Sequence, residues 1–129
     1  MSGARFGHVG LTCVDVDATE CFYSRYFGFV RDSELLLGET RLVFISAGDI
    51  VFELFAGVGA PDLTQTGSGP ESPGFRHLAL QVPDVCRILA DLGEATEITH
   101  GPFDLSEHGL SPQIVWIRDP DGRILELYE

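Results

Sequence analysis

The sequence is short of positive charge. Lys and Arg together number 8 against 20 Asp and Glu, a formal net charge of −12 over 129 residues, and no basic run occurs. Such a chain repels a phosphate backbone or an anionic bilayer surface, so nucleic acid and membrane are not expected partners. Cysteine is scarce: Cys13, Cys21 and Cys86 are odd in number and unrelated in spacing. That excludes a disulfide framework and a zinc knuckle, and leaves reduced thiols expected mostly in the core. There is no leader-like N-terminal apolar segment and no apolar run near the ~18 residues of a membrane span, which makes a cytoplasmic location the default expectation. Low-complexity tracts are also absent. With 44% hydrophobic residues, the chain has material for one compact domain or two small modules sharing a core.

What is present is a series of short apolar stretches. The clearest is residues 114–128, two β-rich runs around Asp119-Pro-Asp-Gly122. Proline presets φ there and glycine accepts a positive φ, which predicts a hairpin. Glu126 falls mid-strand between Leu125 and Leu127, where a carboxylate must face either solvent or a site that neutralises it. At the other end, residues 6–16 read as a strand containing His8. Asp17 followed by Glu20 resembles a capping box opening a helix of about three turns, which Gly28 closes. Residues 29–37, 41–46 and 50–55 read as strands separated by Gly38-Glu39 and Gly48-Asp49 turns. Residues 57–74, rich in glycine and proline and without periodicity, read as a linker. The pattern then returns as a strand at 75–82, a helix at 84–92 closed by Gly93, a further segment at 95–103, and the terminal hairpin.

The two modules, 5–56 and 75–129, are therefore both β-α-β-β-β, an α+β architecture, and the repeat aligns their polar residues. His8 follows Phe6 by two positions in the first strand of one module, and His77 follows Phe75 by two in the other. Glu53 stands in the last strand of the first as Phe-Glu-Leu, and Glu126 in the last strand of the second as Leu-Glu-Leu. A single strand histidine is more often a hydrogen-bonded structural residue, and a single glutamate beside leucines is more often on a solvent face. Coincident placement in both halves instead predicts two imidazoles and two carboxylates converging where two curled sheets, helices outside, form an incompletely closed, barrel-like surface. That donor set suits one divalent ion, Ni, Co, Zn, Mn or Fe, with two positions left for water or substrate oxygens.

The three-residue loop 120–122 places Trp116 opposite Glu126, on the same sheet face. Phe55 and Tyr128, two residues beyond the glutamates, share that face by strand alternation. Phe55, Trp116 and Tyr128 are thus expected to line the cavity and contact substrate, with ordinary core packing as the alternative. His100 and His108 flank a loop containing Gly and Pro and are candidates for gripping substrate.

The segments His8-Val-Gly-Leu-Thr12, Phe22-Tyr-Ser-Arg-Tyr-Phe-Gly-Phe29, Glu53, His77-Leu-Ala-Leu80 and Asp119-Pro-Asp-Gly-Arg-Ile-Leu-Glu126 together resemble the vicinal oxygen chelate superfamily over nearly the whole chain. That superfamily comprises glyoxalase I, extradiol dioxygenases, methylmalonyl-CoA epimerase and the fosfomycin and bleomycin resistance proteins. The resemblance carries its metal positions onto His8, Glu53, His77 and Glu126. It implies a homodimer with two equivalent sites, each able to combine halves of different chains. The full quartet is glyoxalase-like, because epimerase relatives often carry an amide where Glu53 stands and fosfomycin resistance enzymes use three protein ligands. The implied activity is a metal-dependent lyase, isomerase or epimerase acting on a small α-oxygenated carbonyl compound through an enediolate, with Glu53 or Glu126 as the base and the other returning the proton. Bacterial glyoxalases contact glutathione through an Arg four residues beyond the first His and an Asn four beyond the first Glu; here those places hold Thr12 and Gly57. The alternatives are an extradiol-type ring-cleaving dioxygenase, which residues 108–122 resemble, and a non-catalytic, bleomycin-resistance-type binding protein.

Overall fold

The protein is described as a computed structural model covering residues 3–60 and 73–129. The chain divides into two compact units, Met1–Ala60 and Pro61–Glu129. Most of the expected linker, 61–72, lies outside the described residues. Among the described residues no helix is long and apolar enough to cross a membrane.

The first unit runs β1 (Val9–Cys13), α1 (Val16–Phe27), β2 (Val30–Leu37), β3 (Thr40–Ala47) and β4 (Ile50–Ala56), with sheet order β1-β4-β3-β2. Both hairpins close with two-residue loops, Leu37 pairing with Thr40 and Ala47 with Ile50. Gly38 and Gly48 take φ of 62° and 59° at the first loop position, as a type II′ turn requires. β1 pairs in parallel with β4, the last strand of the unit, which demands a crossover that α1 begins. On one face the sheet is apolar: Val43, Ile45 and Leu54 are fully buried and Phe52 almost so. Tyr23 of α1 meets Phe52 edge-on at 5.1 Å, and Phe29 stacks on Phe52 at 4.8 Å. Because side chains alternate along a strand, this packing turns Glu53, between Phe52 and Leu54, to the face away from α1.

Charged side chains brace the helix on its sheet. Arg31 binds Glu20 and Glu34, and Arg41 binds Glu34 and Asp17 at 2.6 Å and 2.9 Å. Hydrogen bonds from Arg41 hold the Asp17 and Glu34 carboxyls below their ordinary range. This use of Asp17 corrects the expected capping box. The helix cap is Asp15, whose side chain accepts from the backbone N–H groups of Asp17 and Ala18 at 2.9 Å and 3.1 Å. Gly28 ends the helix at φ 72°.

The second unit repeats the plan: β5 (Leu78–Gln81), α2 (Val85–Leu92), β6 (Ile98–Phe103), β7 (Ile114–Arg118) and β8 (Ile124–Tyr128), in sheet order β5-β8-β7-β6 with β5 parallel to β8. One-turn 3-10 helices lie at Gly93–Ala95 and Ser106–His108. Asp84 caps α2 by accepting from the Arg87 N–H at 2.9 Å. Val115, Ile117, Leu125 and Leu127 are fully buried on one sheet face. The β7–β8 turn is closed by the Gly122 N–H donating to the Asp119 carbonyl at 2.9 Å, and the buried Asp119 carboxylate accepts from the Asp121 and Arg123 N–H groups and from the Arg123 guanidinium. The cysteines depart from expectation. None of the three is in a disulfide, but only Cys13 is buried, while Cys21 and Cys86 are exposed on the two helices.

Candidate functional site

Strand register places the first pair of site residues. β1 lies beside β4 with Gly10 opposite Glu53, and His8, two residues ahead of Gly10, precedes the strand rather than lying within it. His8 Nε2 is 3.7 Å from Glu53 Oε2, the imidazole half exposed and the carboxylate largely covered. Gly10 leaves this face open, since a Cβ there would meet the Phe55 ring at 3.5 Å and Glu53 Oε1 at 3.9 Å. Phe44, opposite Glu53 on β3, sets its ring edge-on to His8 with centroids 6.0 Å apart.

The second unit repeats this register position by position. Ala79 lies opposite Glu126, His77 is two residues ahead of Ala79, and Trp116 of β7 stands where Phe44 stands in the first unit. The pair is tighter here, with His77 Nε2 3.2 Å from Glu126 Oε2 and both side chains largely covered. Trp116 adds what Phe44 cannot: its indole N–H donates to Glu126 Oε2 at 2.8 Å. The inference that a three-residue loop sets Trp116 opposite Glu126 agrees with the observed pairing. The face opens into a cavity of about 770 Å³ bounded by Leu105, Leu110, Pro112 and Ile114 together with Trp116, Tyr128 and Glu126. Sequence reasoning missed this apolar wall. Alternation from Trp116 was enough to reach Ile114, whereas residues 105–112 carry no periodicity and take their place through local bonds such as Leu105 N–H to the Ser111 carbonyl at 3.0 Å. His100 pairs with Trp116 across β6 and packs against it with centroids 5.0 Å apart, and His108 is exposed in its one-turn helix.

Each unit by itself offers two donors, and within neither does a third His, Cys, Asp or Glu join the pair among the described residues. The chemistry of the donors suits a divalent ion: one imidazole and one carboxylate per unit, hence charge balance if two pairs are combined. His77 turns Nε2 toward Glu126, while its buried Nδ1 has no hydrogen-bond partner among the described residues, a costly state for an imidazole. Thr12 and Gly57, noted above as departures from bacterial glyoxalases, turn out to be neighbours. A Cβ at Gly57 would lie 2.5 Å from Thr12 Cγ2 and 3.3 Å from the Cys13 carbonyl oxygen, so the Thr12 methyl fills the space a side chain at 57 would take.

A sequence model of the Glyoxalase/Bleomycin resistance protein/Dioxygenase superfamily matches residues 5–127. The chain belongs to that superfamily. Within it, the chain is 30% identical over 129 residues to the uncharacterized protein YaeR of Escherichia coli (strain K12), covering 95% of this chain and 93% of that protein. It is likewise 30% identical over 125 residues to the uncharacterized protein YwkD of Bacillus subtilis (strain 168), covering 95% and 94%. Among solved structures, the glyoxalase family protein from Enterococcus faecalis is 28% identical with a TM-score of 0.73, covering 97% of both chains. The α+β glyoxalase-superfamily fold of two four-stranded mixed sheets follows from these matches together with the topology.

Proposed function

We propose that this superfamily member is a metal-dependent, glyoxalase-like lyase or isomerase acting on a small α-oxygenated carbonyl compound. The observation that carries the reading is the identical register of His8 with Glu53 and His77 with Glu126 in the two units. In this reading the four side chains hold one divalent ion, in a homodimer with two equivalent sites. When bound, the ion would polarise the substrate carbonyl and offset the negative charge left by a departing α-proton. The chain's own part is positioning and proton movement. His8 and His77 would hold the ion. Either Glu53 or Glu126 takes the α-proton at one carbon and the other returns it at the next. Trp116 fixes Oε2 of Glu126 through its N–H, while Phe44 gives Glu53 no such donor, so the two carboxylates differ in freedom. Phe55 and Tyr128 flank the substrate with Trp116.

Elemental analysis of chelator-free protein beside Glu126→Gln tests the reading. Stoichiometric Ni, Co or Zn that is lost in the variant, with turnover of an α-ketoaldehyde or hydroxyketone lost alongside it, is the expected result. Full activity in metal-free protein overturns it. Bound Fe or Mn with oxygen uptake on a catechol moves the assignment to ring cleavage. Ligand held unaltered without metal moves it to a binding protein.

A further inference from the structure

We propose that the cavity beside Glu126 selects an uncharged substrate with an aryl flank and rejects anionic ones; this rests on reading that face as the active site. Its charged lining residues are Glu126 and Glu129, and none of the lining residues is basic. The sequence contains no lysine and only eight arginines, and most of these are committed elsewhere. Arg31 and Arg41 are held by Glu20, Glu34 and Asp17. Arg123 is held in the hairpin turn by Asp119 and Asp121 at 2.8 Å each. Arg118, on β7 two residues from Trp116, donates to the Gly122 carbonyl at 2.8 Å and lies 3.6 Å from Glu97. Arg25 and Arg87 belong to α1 and α2. Arg5 and Arg76 are exposed ahead of β1 and β5.

A carboxylate, phosphonate or charged thiol conjugate seated here would lie beside two like charges, with no basic side chain among the described lining residues to receive it. The net charge of −12 opposes anion approach at long range. The wall supplies the opposite preference. Leu105, Leu110, Pro112 and Ile114 face the rings of Trp116 and Tyr128 around about 770 Å³, a size and lining typical of sites for ring-containing small molecules.

Trp116 is the sole tryptophan, so its emission reads occupancy of this cavity independently of turnover. The test titrates the full chain, metal-loaded and metal-free, with 2-hydroxyacetophenone and with its para-carboxylate, following Trp116 emission and binding heat. The neutral probe is expected to bind about tenfold or more tightly than the carboxylate. Leu110→Arg, which places a cation at a lining position that is 58% exposed, should shift that ratio about tenfold toward the anion. Equal or tighter binding of the carboxylate, binding of neither probe, or carboxylate binding abolished by Arg5→Ala or Arg76→Ala overturns the proposal. Preference for the neutral probe without metal uptake or turnover sustains the charge selection and removes the lyase reading. Metal uptake and turnover with no preference between the probes does the reverse.

Discussion

Replacing Trp116 with phenylalanine isolates one hydrogen bond at the proposed metal site. The second unit then acquires the residue that the first already carries opposite its glutamate, Phe44, so the smaller ring is compatible with the position. What is lost is the indole N–H donated to Glu126 Oε2 at 2.8 Å, within the range of charge-assisted bonds. The Glu126 side chain is only 18% exposed, so solvent replaces the donor poorly, and such a bond contributes about 1.5–3 kcal/mol. Spent on orienting a metal-binding carboxylate, that is a loss of about 10- to 100-fold in metal affinity, the usual effect of removing a group that orients a ligand. The assay is competition with a chromophoric chelator, using Co or Zn at fixed pH, beside a thermal melt of the metal-free protein followed by circular dichroism. Trp116→Phe should lower the affinity by that factor and shift the metal-free melt far less than the metal-loaded one. Unchanged metal affinity, or equal shifts of both melts, would refute the argument that this bond serves the site rather than the fold.

Other substitutions probe the scaffold. Gly57→Ala drives a Cβ into Thr12 Cγ2 and the Cys13 carbonyl while the Gly57 N–H stays bonded to that carbonyl at 2.8 Å, so urea unfolding should show a loss of about 1–3 kcal/mol. Thr12→Ser, which removes the offending methyl, should recover much of it; strictly additive losses would contradict the contact. Asp119→Ala removes the carboxylate that accepts from the Asp121 and Arg123 N–H groups in the hairpin turn, an expected cost of about 1–3 kcal/mol in the same assay. Asp17 and Glu34 start from ordinary values of 3.8 and 4.5 and are lowered by hydrogen bonds from Arg41. A depressed carboxyl contributes stability above its unfolded value and loses it as pH falls through the folded one. The difference in Tm between the protein and Arg41→Ala, present at neutral pH, should therefore close below about pH 4; a gap that persists in acid would mean the arginine acts by packing instead.

The order of strands and helices was legible because each half punctuates its apolar runs with glycines and repeats the same order. Even a side-chain juxtaposition could be worked out in advance, Trp116 opposite Glu126, because a three-residue turn leaves one register. Capping was harder. Asp15 and Asp17 are equivalent as sequence signals, and burial of Val16, 4% exposed in the first turn, favours starting the helix one residue after Asp15. Helix orientation, unlike helix existence, depends on the partner sheet, which is why thiols expected mostly in the core lie outside it at Cys21 and Cys86. The apolar run Leu35-Leu36-Leu37 belongs to β2, exposed along its length at the sheet edge. The cavity wall from Leu105 to Pro112 was the least legible part, since an irregular loop is shaped by local hydrogen bonds that no periodicity announces.

The parallel pairing of each unit's first and last strands has a kinetic consequence. The β2–β3–β4 meander joins neighbours in sequence through two-residue loops and can form early, whereas β1 meets β4 only after the chain between them has been brought back on itself, the slowest kind of contact to close. His8 and Glu53, and equally His77 and Glu126, sit on that late pairing. A partly folded half therefore has hairpins before it has its His–Glu pair. Once present, a ligand that requires the pair holds shut the joint that would otherwise open first on unfolding.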